Sequence, residues 1–163
     1  MSAIEFNIAK GRGVELYQRV LVSDPANAVL VLLALADGSA DGIEGLRDFD
    51  TVAAILAGGY DEVTNTGYAR IVLDNTDLSA WAPDDANNST LLTLPLVTFG
   101  SPDVDAGDIL DICVVAYDPD STGGTDSALV PVSAHEMRID GTAVPGIGTG
   151  IIFDLSGGWT IDV

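Results

Sequence analysis

The stretch "YDPDSTGGTDSALVP", residues 117–131, comes closest in this chain to the residue types and spacing of a chemical site. Asp118, Asp120 and Asp126 surround Gly123-Gly124, and carboxylates around a glycine turn suggest oxygen ligands for a hard cation such as calcium. A helix-loop-helix calcium loop takes ligands at positions 1, 3 and 5, glycine at 6 and a bidentate glutamate at 12. With Asp118 at the first position, Asp120, Thr122 and Gly123 fall into place, but Leu129 stands where the closing glutamate belongs. The flanks read as strands, and a Gly-Gly pair has a plain use wherever the backbone turns through positive φ. An acidic hairpin turn therefore fits these residues better than a metal site. A weak cation site completed by a neighbouring chain stays open, with Asp118, Asp120 and Asp126 as its candidates.

Other residues offer little chemistry. His135 is the sole histidine, beside Glu136, with no serine or cysteine partner at a recognisable motif and no companions for zinc. Cys113 is the single cysteine and lies inside "ILDICVVAY", which suits a small core residue rather than a reactive thiol and excludes an intramolecular disulfide. No nucleophile elbow or phosphate loop is present, and "GIGTG" (146–150) lacks the strand-then-helix setting of a dinucleotide site. Acidic pairs such as Asp84-Asp85 arise by chance among 25 acids. No enzyme activity and no cofactor are expected. Trp81 and Trp159 read as core or interface anchors rather than a ligand platform.

The elements that would position these residues are mostly strands. "AVLVLLALA" (28–36) has the length of a fully buried strand. "ILDICVVAY" (109–117) and "ALVPVSA" (128–134) flank the acidic turn as two more, and "GYARIVLD" (67–74) reads as another. "TLLTLPLVTF" (90–99) carries Pro95 inside it, which places that strand at an edge or a bulge. Asp140-Gly141 predicts a tight hairpin, and "TGIIFDLSGGWTIDV" two short strands joined by residues 156–158. "SPDVDAGD" (101–108) predicts an acidic turn. "DFDTVAAILAGG" (48–59) predicts a helix capped by Asp48 or Asp50 and stopped by Gly58-Gly59. "TDLSAW" (76–81) suggests one helical turn before a polar loop at 82–89. "GVELYQRVLV" (13–22) satisfies both helical and strand spacing, and the turn signal "SDPAN" after it favours strand. The fold class expected is mainly β in a single domain: an antiparallel β-sandwich or barrel-like sheet with one covering helix near 48–58.

Charge bounds the partners. The 163 residues carry 25 acidic against 6 basic side chains, a formal net charge of −19. That balance excludes phosphate backbones and anionic membrane surfaces as partners. No apolar run approaches the ~20 residues that span a bilayer, and the N-terminal residues lack the pattern of a secretory signal. Asp outnumbers Glu by 20 to 5, and Lys10 is the only lysine. Asp suits turns, and high-salt adaptation or coding bias each account for the remainder. Lys10, Arg12 and Arg19 concentrate half of the basic charge in the first 22 residues. With Phe6 and Tyr17 they mix cations and aromatics as interfaces do, so residues 1–22 read either as a docking arm or as a first strand with a solvated edge.

Three segments together resemble small virion structural proteins of tailed bacteriophages: "FNIAKGRGVELYQRVLVSDPANAVLVLL", "GLRDFDTVAAILAG" and "YDPDSTGGTDSALVPVSAHE". Their order and spacing cover the chain to about residue 137. The resemblance implies a non-enzymatic role, foremost as a capsid decoration (cement) protein on the outer surface of a phage head, made in the host cytoplasm. The implied partners are the major capsid protein or other virion proteins. It further implies a homo-oligomer, for which a trimer would suit a lattice three-fold. A head–tail connector, neck or tail component is the alternative, and a calcium-dependent binding module is a reading of a different class. Dense negative charge suits a particle's outer face, where it opposes aggregation.

Overall fold

The computed structural model describes residues 3–36, 42–86, 89–99, 109–139, 142–145, 151–153 and 159–162. In chain order the elements are β1 (Ala3–Glu5), α1 (Gly13–Leu21), β2 (Val29–Ala36), a 3-10 turn (Ile43–Leu46), α2 (Val52–Ala57), β3 (Ile71–Leu73), β4 (Ala82–Asp84), β5 (Ser89–Leu92), β6 (Val97–Phe99), β7 (Ile109–Asp118), β8 (Val130–Glu136), β9 (Arg138–Ile139), β10 (Thr142–Pro145), β11 (Ile151–Phe153) and β12 (Trp159–Asp162). The architecture is mainly β, as the sequence leads one to expect.

Among the described residues the central antiparallel sheet has seven strands: five run in the order β3-β2-β7-β8-β1, and β10, with β9 beside it, pairs with the start of β7, Val144 opposite Leu110. β2 and β7 make its middle, paired from Val29 opposite Asp118 to Ala36 opposite Leu110. β2 throughout and β7 from Ile112 to Tyr117 run apolar without alternation because both faces of this sheet are covered: Leu32, Leu33, Ala34 and Leu35 in β2 and Cys113 to Ala116 in β7 have no exposure at all. Each fully buried leucine here contributes about 1.5–3 kcal/mol of burial free energy before entropy is subtracted. Pro131 is tolerated inside β8 because the β7–β8 register shifts there, with Val115 opposite Ser133 and Ala116 opposite Pro131.

Around the sheet lie smaller pieces that share its core. β5 pairs with β4 and β12, and β6 pairs with β11. Leu92, Leu94, Val97 and Phe99 join the same buried cluster as β2 and β7. Residues 93–96 separate β5 from β6, so the strand expected over 90–99 is broken around Pro95 rather than carrying it. β9 and β10 pair with Ile139 opposite Thr142; the Asp140-Gly141 dipeptide between them, the turns expected at 101–108 and 156–158, and "GIGTG" lie outside the described residues.

Among the described residues there are two α-helices where one was expected. α1 occupies 13–21, the segment for which turn signals favour a strand. Helical spacing wins because Gly13, Leu16, Tyr17 and Val20 all turn inward, while Glu15 joins Arg12 and Arg19 on the outer side at 3.3 and 2.9 Å. α2 is shorter than the predicted span and is capped by neither Asp48 nor Asp50. Thr51 caps it, its Oγ1 accepting from the Ala54 amide. Gly58 closes the helix, and Gly59 follows at φ 92°, a conformation that costs glycine little. Residues 74–77 form a turn held by Asp74 and Asp77 side chains rather than a helical turn.

Candidate functional site

β7 ends at Asp118 and β8 begins at Val130, so the acidic stretch is the long connection between two adjacent central strands. Its carboxylates are engaged one by one. Asp118 is buried, and its Oδ1 accepts from the Asp120 amide at 2.9 Å. Asp120 Oδ1 in turn accepts from the Thr122 amide at 3.0 Å and its hydroxyl at 2.6 Å. The Thr122 hydroxyl and amide hold the Asp120 carboxyl below its usual range. These are side-chain-to-backbone turns that bend the chain locally. Gly124 backs onto Asp118 so closely that a Cβ there would collide with Oδ2, which gives the glycine a packing reason. The Ser121 amide donates to the carbonyl of Asn27, anchoring the loop tip to the entrance of β2.

Asp126 faces elsewhere. Its Oδ1 accepts from Arg70 Nη1 at 2.5 Å, and the same guanidinium grips Glu62 through Nε at 2.8 Å and Nη2 at 2.6 Å. The Tyr68 hydroxyl donates to Glu62 Oε1 at 2.9 Å and accepts from the Ala34 amide of β2 at 2.8 Å. Two carboxylates raise the Arg70 pKa further above its already high value, while burial drives the Tyr68 hydroxyl up. Backbone bonds complete the clamp: the carbonyls of Asp126 and Leu129 accept from Ala53 and Val52, the first amides of α2, at 2.9 and 3.1 Å. The loop is thereby tied to β2, to the approach to β3 and to α2.

The three candidate ligands are thus not brought together. Asp118 and Asp120 shape the turn, Asp126 pairs with a cation, and among the described residues no group of three or more His, Cys, Asp or Glu side chains is arranged to hold a metal. Arg70, Glu62 and Tyr68 escape a motif-based reading altogether. The available signal is Arg70 itself, one of six cations, set in the strand-like "GYARIVLD".

His135 does have a serine beside it. Ser133 Oγ and His135 Nε2 lie 3.0 Å apart, because residues two apart on a strand share a face. Cys113 stands opposite His135 on β7, and Glu5 opposite Ser133 on β1. Ser133 and His135 are only 1% and 2% exposed, so this row is closed to substrates. Burial pushes the His135 pKa down to about 4 and the Cys113 thiol well up. A neutral imidazole and a protonated thiol in a closed core are packing residues.

The N-terminal candidates divide by type. Phe6 and Tyr17 are 0% and 1% exposed, and the Tyr17 hydroxyl reaches the carbonyls of Ser79 at 2.8 Å and Thr93 at 2.7 Å. These rings belong to the core and are not surface anchors, because burying them stabilises the fold itself. Lys10, Arg12 and Arg19 stay on the surface. Residues 3–21 form β1, an edge strand of the main sheet, followed by the packed helix α1, rather than a free arm. Trp81 is 38% exposed, and its Nε1 donates to Gln18 Oε1 of α1 at 2.7 Å.

No family model, curated protein or solved structure matches the chain.

Proposed function

We propose that this protein is a non-enzymatic structural component of a tailed-phage virion, carried as a decoration protein on the outside of the head. The virion assignment rests on the three segments that resemble such proteins. The observation that best supports a non-catalytic role is the use made of the reactive side chains. Asp118 and Asp120 bond to turn amides, Asp126 and Glu62 bond to Arg70, and the Ser133–His135 pair is closed off in the core. A formal charge of −19 over a fold of this kind suits an outer surface facing solvent and disfavours a DNA-facing one. Quantitative peptide measurement on purified particles tests the proposal. Roughly tens to hundreds of copies per particle are expected for a component that repeats over a head lattice; a handful of copies would move the assignment to the neck or tail, and none would end it.

A further inference from the structure

We infer that the outer face of α1, together with Trp81, is a surface through which the protein meets a second copy of itself. The inference deepens the proposed structural role and rests on that reading for the expectation that copies meet at all. At 3.6 residues per turn, Glu15, Gln18 and Arg19 fall on one side of α1, opposite the buried Leu16, Tyr17 and Val20, and the cap residues Arg12 and Val22 lie at the two ends of that side. The Trp81 indole extends that side, held to Gln18 by its 2.7 Å hydrogen bond. Val22 is 57% exposed and Trp81 38%. One strip therefore presents an apolar residue, an indole and two arginines, the types enriched where proteins touch.

Charge argues for the occupant. Residues 1–22 carry Lys10, Arg12 and Arg19 against Glu5 and Glu15, a formal +1, so the rest of the chain carries −20. Two copies repel one another over most of their surfaces. On this strip Arg12 and Arg19 outnumber Glu15 by one charge, so two copies that meet here hold their acidic surfaces, the source of the repulsion, farthest apart and bury apolar area. Contact of this kind has a distinctive salt response. Screening removes the net repulsion between copies, so association strengthens as salt rises; a contact built on opposite charges would weaken. The strip is short beside the ~800 Å² per partner of a standard interface, so the contact is weak in solution and gains strength by repetition in an assembly.

Sedimentation of the purified full chain tests this at ~10 to ~500 µM, where a sub-standard interface becomes populated. The wild-type protein should self-associate, several-fold more strongly at ~0.5 M than at ~0.05 M NaCl. Val22→Ser and Trp81→Ala should each weaken association about tenfold or more, with an unchanged circular dichroism spectrum. Val22 is more than half exposed and is not part of the buried core cluster, so Val22→Ser decides the matter if Trp81→Ala unfolds. A wild-type monomer at both salts would overturn the inference, as would a Val22→Ser variant that assembles normally or an association that salt abolishes. Those results leave the virion role standing, because that role falls only if particles lack the protein.

Discussion

Arg70 and Asp126, 56 residues apart, meet at 2.5 Å through Nη1 and Oδ1. The contact turns a candidate metal ligand into a structural one: the positive charge that Asp126 neutralises is a guanidinium already fixed by Glu62. With Tyr68 bridging Glu62 to the Ala34 amide, one half-buried network joins the β7–β8 connection to the middle of the sheet. A cation in such a network is worth more than an exposed pair, since its partners are left uncompensated when it goes.

Replacing Arg70 with Met should cost about 2–3 kcal/mol in denaturant unfolding, by loss of charge-assisted hydrogen bonds to two half-buried carboxylates. Asp126→Asn should cost less, because Glu62 still holds the guanidinium. A double-mutant cycle between the two should give a coupling of about 1 kcal/mol; coupling near zero would mean that the pair does not form in solution.

Asp120 acts through Oδ1 as a turn acceptor. Asp120→Asn keeps that oxygen and should melt like the wild type, whereas Asp120→Ala should lower the melting temperature by roughly a few degrees. Calorimetric titration of calcium into metal-free wild type should give no binding heat. Saturable heat that Asp120→Ala removes would restore the loop as a cation site.

Gly124 is fixed by proximity to Asp118. Gly124→Ala should destabilise the protein by about 1–3 kcal/mol, because the new methyl must displace a buried carboxylate that is already hydrogen-bonded. Gly123, where an added Cβ would meet no other residue within 4 Å beyond its chain neighbours, should accept alanine with a smaller loss. Equal losses at the two positions would contradict the packing described.

Buried His135 sets an acid dependence. Its folded pKa is about 4 against an ordinary 6.5, so between those values the unfolded chain binds a proton that the folded one refuses. Stability is therefore full above about pH 6.5 and declines as pH falls toward 4, by roughly 3 kcal/mol in total. His135→Gln should flatten the stability profile across that window in urea titrations at stepped pH. A slope unchanged by the substitution would assign the dependence to the carboxylates instead.

The sheet was legible where a segment's pattern had one explanation. β2 is a continuous apolar run and β7 is one apart from Asp111 and its terminal Asp118, a length and β-branched content that suit a strand covered on both faces, and the loop between β7 and β8 shows its turn character in its own Asp and Gly residues. α1 was not legible, because Leu16 and Val20 fit both a helical and a two-residue period. The tie is broken by Tyr17 bonding to carbonyls at Ser79 and Thr93, 62 and 76 residues away. The start of α2 was misplaced for a similar reason, since the carbonyls of Asp126 and Leu129 take its first amides. Nor does local spacing reveal that Arg70 finds Asp126, or that Phe6 and Tyr17 turn inward while Trp81 stays half outside. Each of these depends on packing between segments remote in sequence.

Imaging the intact particle tests the proposed role most directly. Density on the outer face of the head, repeating with the lattice, should accommodate the β3-β2-β7-β8-β1 sheet with α1 and Trp81 turned toward a neighbouring copy. Density for this fold confined to the neck or tail, or its absence from the particle, would contradict it.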